Sequence, residues 1–172
     1  MAGTRELNKY LNELSKEELI KEVMKLHTKF KHVKEYYASE LGTDNGELLK
    51  TAKAKMNRLI LITGSYIKPD LASANKLISD FSKVSVHPID KIDLMLYKVE
   101  LCADFIEQWG LQHPNVENTI FTTYPQVLKL IYENKLEKTF SRRCMELEGV
   151  AGNYGLINET LNTGDEDETG NN

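Results

Sequence analysis

Between Asp90 and Trp109 the chain reads DKIDLMLYKVELCADFIEQW, and its apolar residues are spread too widely for a helix that lies on a surface. Placed at about 100° per residue, Ile92, Leu94, Met95, Leu96, Val99, Leu101, Cys102, Phe105, Ile106 and Trp109 cover an arc of about 220°. A surface helix needs a much narrower stripe, so other helices must cover this one on two or three sides. The ridge left over is thin and acidic: Asp93, Glu100, Asp104 and Glu107, with Tyr97 among them. The expectation is an all-α fold, either a bundle or stacked helical hairpins, with six to eight helices around a buried helix at 90–109.

The flanking sequence supplies the other helices. Thr4 is the expected N-cap of a short helix, RELNKYLNEL, with Leu7, Leu11 and Leu14 on one face. Ser15 and Glu18 have the spacing of a capping box, in which each side chain accepts the other residue's backbone N–H. The helix they open is expected to run from Lys16 to about Leu41, with Gly42 as its stop. Along it Leu19, Val23, Leu26, Phe30, Val33 and Tyr37 recur at spacings of 4, 3, 4, 3 and 4, a heptad seam. Such a seam faces either the chain's own core or a second chain. The core is the expectation here, and on that reading Phe30→Asp unfolds the protein.

Glu47 to Thr63 reads as a third helix, with Leu48, Leu49, Ala52, Met56, Leu59 and Ile60 inward. Its apolar end, LILIT, also fits a short strand, but there is no second strand-like run to pair with it. Pro69 begins a helix through Phe81. At 116–133, Pro125 either kinks one helix or starts a new one. Leu136 to Glu148 is a further helix, GVAGNYG a turn, and Leu156 to Leu161 a last short helix. Residues 1–162 then form one domain. TGDEDETGNN, at 163–172, has no apolar side chain and is expected to be a disordered acidic tail.

Composition narrows the function by exclusion. The net charge is −4, and Asp165, Glu166, Asp167 and Glu168 account for it, which leaves a near-neutral body. Nucleic-acid binding needs a basic footprint, so the charge argues against it. No stretch approaches 18 consecutive apolar residues, no secretory leader is visible, and a cytoplasmic address is expected. Cys102 and Cys144 lack CxxC spacing and read as reduced structural residues.

Several stretches together resemble a family of uncharacterised bacterial proteins, a domain of unknown function about as long as this chain. They are SKEELIKEVMKLHTKFKHVKEYY at Ser15 to Tyr37, SANKLISDF at Ser73 to Phe81, DLMLYKVE at Asp93 to Glu100, and the pair Arg143–Cys144. The turn at Asn153, Tyr154 and Gly155 is similar to a weakened form of the family's glycine-rich turn. The resemblance implies an all-helical fold and no assigned activity. The chain departs from the family between Met56 and Pro69, which is apolar here rather than basic and aromatic, and at Tyr154, where the family has tryptophan.

Candidate chemistry is sparse. Glu100 and Asp104, four residues apart, face the same way and present the geometry of a hard-cation grip. No histidine has the Glu-x-x-His spacing of helical di-metal sites, so no metal or cofactor is expected. His87 and His113 flank the two ends of the central helix, about 30 Å apart, and cannot share a site. Nothing in the sequence fixes a partner for Cys144 as a nucleophile. Lys50, Lys53, Lys55 and Arg58 make a basic but uneven face. Arg142 and Arg143 are the only adjacent arginines, and a polar cluster of Asp93, Tyr97, Glu100, Asp104, Arg142, Arg143 and Tyr154 is where a site is expected if there is one. There is no P-loop, GxGxxG, HExxH or GxSxG, and no catalytic residue is assigned. The expected function is a non-enzymatic interaction or adaptor module. It would act on an unidentified protein partner or by self-association through the Leu19–Tyr37 seam. The alternatives are a ligand pocket or enzyme at the polar cluster and, third, a weak nucleic-acid binder.

Overall fold

Capping chemistry sets where the helices begin. In the computed structural model, which describes residues 3–42, 46–61, 68–157 and 160–161, the Ser15 hydroxyl accepts the Glu18 N–H at 3.3 Å, and the Glu18 carboxylate accepts the Ser15 N–H at 2.8 Å. That box separates α1 (Thr4–Glu13) from α2 (Lys16–Lys29). Thr4 is the first residue of α1 rather than its cap, which is Gly3. After α3 (Lys31–Glu40) and α4 (Glu47–Ile60), the Asp70 carboxylate accepts the Ser73 N–H at 3.0 Å and starts α5 (Leu71–Val84). Proline in the first turn opens both α6 (Pro88–Trp109) and α7 (Pro114–Glu133), and α8 is Glu137–Gly152. The described residues contain no strand, so LILIT is no strand as far as Leu61; Ile62 and Thr63 lie outside them, as does the acidic tail.

The central helix is α6, and it packs against α4, α5, α7 and α8. Eleven of its 22 residues are buried, from Ile92 to Ile106. Ala52, Met56 and Ile60 of α4, Ala74 and Phe81 of α5, and Ile120, Tyr124 and Val127 of α7 close over it. From α8, Phe140, Cys144 and Leu147 complete the cover. Helix α7 runs unbroken through Pro125. The bond that Pro125 cannot donate is the one to the Phe121 carbonyl; one residue on, the Gln126 side chain donates to the Thr122 carbonyl at 2.8 Å.

Three expectations are corrected. First, one helix from Lys16 to Leu41 is instead two, because Phe30 takes an extended conformation (φ −120°, ψ 120°) between α2 and α3. Thr28, Phe30, His32 and Val33 are poor helix formers, and the Thr28 hydroxyl donates back to the Met24 carbonyl at 2.9 Å, which bends helices. With the chain bent there, α3 packs on α5, Val33 and Tyr37 are half-buried, and the Tyr37 ring lies 6.2 Å from that of His27 in α2. Second, the first half of the seam is not in the core. No residue of α1 or α2 is buried, and Val23, Leu26 and Phe30 are exposed. Phe30→Asp therefore has no core to disrupt. Third, α8 continues through Gly149 to Gly152, and the described residues after it, 156–157 and 160–161, are not helical. A Schellman motif ends α8: Leu156 N–H donates to Ala151 O at 3.0 Å and Gly155 N–H to Gly152 O at 2.9 Å, with Gly155 at φ 68°. Leu156 and Leu161 are both buried in the core.

The molecule thus has a body, α4–α8, and an N-terminal arm, α1 and α2, joined to it through α3. Leu96→Ala, at a site with no solvent exposure, is expected to cost about 2–5 kcal/mol in urea unfolding. Met24→Ala on the arm should change stability by less than about 0.5 kcal/mol. Equal losses at the two positions would contradict this division.

Candidate functional site

The polar ridge of α6 is met by cations from both sides. Arg143 of α8 grips Glu100 with two parallel bonds, Nε to Oε1 at 2.7 Å and Nη2 to Oε2 at 2.8 Å, and its Nη1 donates to Asp93. Lys53 of α4 bonds the same Asp93 at 2.7 Å and sits 5.3 Å from the centre of the Tyr97 ring. One arginine, one lysine and two carboxylates therefore tie α4, α6 and α8 together. Burial works against the Arg143 charge, but the bonds to Glu100 and Asp93 outweigh it and hold the guanidinium firmly protonated.

Of the residues expected to converge, Asp93, Glu100 and Arg143 do so, and Tyr97 and Asp104 line the groove of about 370 Å³ beside them. Ala103, Leu147 and Val150 also line it, while Glu146 contributes a further carboxylate. Burial raises the Asp104 pKa, with help from the Glu107 and Glu100 charges, and no ion pair reaches Asp104 from the described residues. Tyr97 is raised for the same reasons, burial first and then Glu100 and Asp104. Arg142 does not join: it faces solvent and pairs with Glu146 at 2.9 Å. Tyr154 lies exposed on the turn after α8 and is not among the groove's lining residues. Among the described residues no group of three or more His, Cys, Asp or Glu side chains could hold a metal ion.

Three features escaped the sequence reading. Lys53 belongs to the basic face by sequence position, but its offset of about 200° from Lys55 points it elsewhere. Lys98 is only 3% exposed, with its ammonium on the Asn75 side-chain oxygen at 2.8 Å and the Thr123 hydroxyl at 3.3 Å, and no carboxylate of the described residues pairs with it. The signal was present, since Leu94, Leu101 and Cys102 lie one helical turn away on either side of it. Lastly, the Tyr124 hydroxyl donates to Glu148, whose same oxygen also accepts the Leu161 N–H at 2.7 Å and so pins the segment after α8. Cys144 borders this pair, and burial pushes its thiol up to about 11; Cys102 is pushed up to about 12. Neither sulfur has the thiolate character a nucleophile needs.

A further groove of about 490 Å³ lies where α3 crosses α4 and α5, with Phe81, Val84 and Ala52 among its apolar lining. Of its basic residues, Lys31 and Lys83 are paired with Glu35 and Asp80. No helix among the described residues is long and apolar enough to cross a membrane.

Two substitutions test this electrostatic layout. Arg143→Ala leaves Glu100 without its cation in a half-buried setting and is expected to cost about 2–4 kcal/mol. Arg143→Lys should recover only part of that loss, because an ammonium cannot make the two-pronged contact. Full recovery by lysine would show the fork to be unimportant. Burial lowers the Lys98 pKa from 10.5. Below the lowered value the amine is charged both folded and unfolded, and the native state carries the whole desolvation cost. As the pH rises toward 10.5 the native state loses its proton first, and the cost falls. Lys98→Met is therefore expected to raise stability by about 1 kcal/mol near neutrality, with the gain shrinking in alkali. A loss that is constant across pH would mean that the amine's hydrogen bonds outweigh its burial.

No curated protein and no solved structure matches this chain. A family model does: it is described as a family of unknown function, DUF6155, and it matches residues 2–160. That span takes in the arm, the central helix and the charge clasp alike, and the chain belongs to the DUF6155 family.

Proposed function

We propose that this protein is a non-enzymatic interaction module that presents its N-terminal arm to a protein partner, with the α4–α8 body as the anchor. The observation behind this reading is where apolar surface is left in water. Among the described residues, nine of the fifteen large hydrophobic side chains that remain exposed fall between Leu7 and Leu41, including Ile20 at 54% and Met24 at 57%. Isolated exposed hydrophobics are ordinary, but a concentration of them on amphipathic helices marks an interaction surface. Helices of 10 and 14 residues with nothing buried are also too short to be stable on propensity alone.

The polar cluster supports a ligand pocket or an active site less well. Arg143 commits its guanidinium to Glu100 and Asp93, and Lys53 is committed to Asp93, so the cations at the cluster already have protein partners. The buried thiols carry no disulfide, which fits the reducing cytoplasm as the place where the module works.

The test compares affinity capture by the wild-type chain and by Val23→Asp/Met24→Asp under native conditions. A partner held by the first and lost by the second, at an unchanged melting temperature, is the expected result. Equal capture by both proteins would move the interaction surface off the arm.

A further inference from the structure

We infer that the partner of the arm is a second copy of this chain, with the two α2 helices packed antiparallel about a two-fold axis. This rests on the interaction reading above and names the occupant of that surface. The seam residues Leu19, Val23, Leu26 and Phe30 form one narrow stripe along α2 and its C-terminal cap, with Val23, Leu26 and Phe30 left 38–43% exposed. The break at Phe30 matters here: it leaves Val33 and Tyr37 half-buried on α3, which packs on α5 and α2, so that the first half is the more exposed part of the seam.

The flanks of the stripe choose the occupant and the direction. At about 100° per residue, Glu22 and Lys29 fall together on one side of it, and Ile20 and His27 together on the other. In an antiparallel pair, Val23 packs opposite Leu26 of the partner subunit and Leu19 opposite Phe30 of the partner subunit. That register brings Glu22 against Lys29 of the partner subunit, and two-fold symmetry makes the pair twice. The other flank, where His27 is half-buried with its ring 6.2 Å from that of Tyr37 in the same chain, brings Ile20 against His27 of the partner subunit with no like charges facing. A parallel pair would instead set Glu22 toward His27 of the partner subunit and leave Lys29 with no acid opposite it, because α2 ends before the next flanking position. Within one chain Glu22 makes only a solvent-exposed 3.5 Å contact with Lys25, which does not compete strongly. Lys29 is held no more firmly, its ammonium 5.6 Å from the centre of the Phe30 ring; these exposed contacts are weak enough to give way to the interface pair, and the surface is complementary to itself.

Sedimentation equilibrium of the purified full chain, over a range of concentrations, tests this. The wild type should show reversible monomer–dimer association, weakened by salt. Glu22→Lys and Lys29→Glu should each weaken it about tenfold, because each converts both symmetric attractions into repulsions. The double variant E22K/K29E should return to within about threefold of the wild type. An equimolar mixture of the two single variants should form a heterodimer more tightly than either associates alone, since the attractive pairs reappear between unlike chains. The rescue also separates interface charge from helix stability, because Lys29→Glu opposes the α2 dipole in the double variant as well. A wild type that is monomeric at every concentration, a dimer indifferent to both reversals, or a double variant no better than the singles would overturn the proposal. If the protein is monomeric but the Val23→Asp/Met24→Asp change still abolishes capture of another protein, the interaction reading stands and self-pairing falls. If neither association nor arm-dependent capture is seen, both fall.

Discussion

A helix that is apolar around most of its circumference is intolerable in water, and the body of this protein is arranged to cover one. α6 contributes buried side chains from Ile92 to Ile106, and four other helices supply the surfaces that exclude solvent from it. Its ridge of acids could not simply be buried with the rest, because removing a carboxylate from water without a partner costs far more than packing returns. The chain's solution is to bring Arg143 and Lys53 to Glu100 and Asp93 at the edges of the core, where the charges are half-buried and each is bonded. The same four side chains fix how α4 and α8 sit on α6. They therefore add specificity of packing to whatever net stability they supply.

Lys98 shows the opposite choice on the same helix. It reaches Asn75 and Thr123 and links α5, α6 and α7, yet it carries a charge that no carboxylate of the described residues balances. The arm contrasts with all of this. α1 and α2 have good local chemistry, a capping box and regular apolar spacing, but bury nothing. Local signals there specify helices without specifying what they pack on, and that is the physical basis for proposing that a partner covers the arm.

The same distinction explains what could be read from sequence. The all-helical class, the position of α6 and the Ser15–Glu18 box were legible because each rests on periodicity or on contacts between residues three or four apart. Convergence of Asp93, Glu100 and Arg143 was expected from charge and position, while Arg142, one residue away, points to solvent, as a 100° step along a helix allows. The break at Phe30 was not legible. No glycine or proline marks it, and the packing of α3 on α5 is a tertiary effect that overrides a continuous heptad pattern. The helix expected at Leu156 to Leu161 is not found in the described residues there, since a Schellman turn such as that at Gly155 can be followed equally well by a helix or by an extended segment. Lys98 and Lys53 were overlooked because a lysine on a helix is read as solvated unless its apolar neighbours a turn away are weighed against it.

The division between a solvent-excluded body and an arm with no share in the core is most directly tested by amide hydrogen exchange, resolved by peptide and repeated at low and high protein concentration. Amides of α6 and α7 should be protected to the level of global unfolding at both concentrations. Those of α1 and α2 should exchange quickly when the protein is dilute and slow as its concentration rises. Protection of α2 as strong as that of α6 in dilute solution would contradict the account, because it would place the arm inside the same cooperative unit as the core.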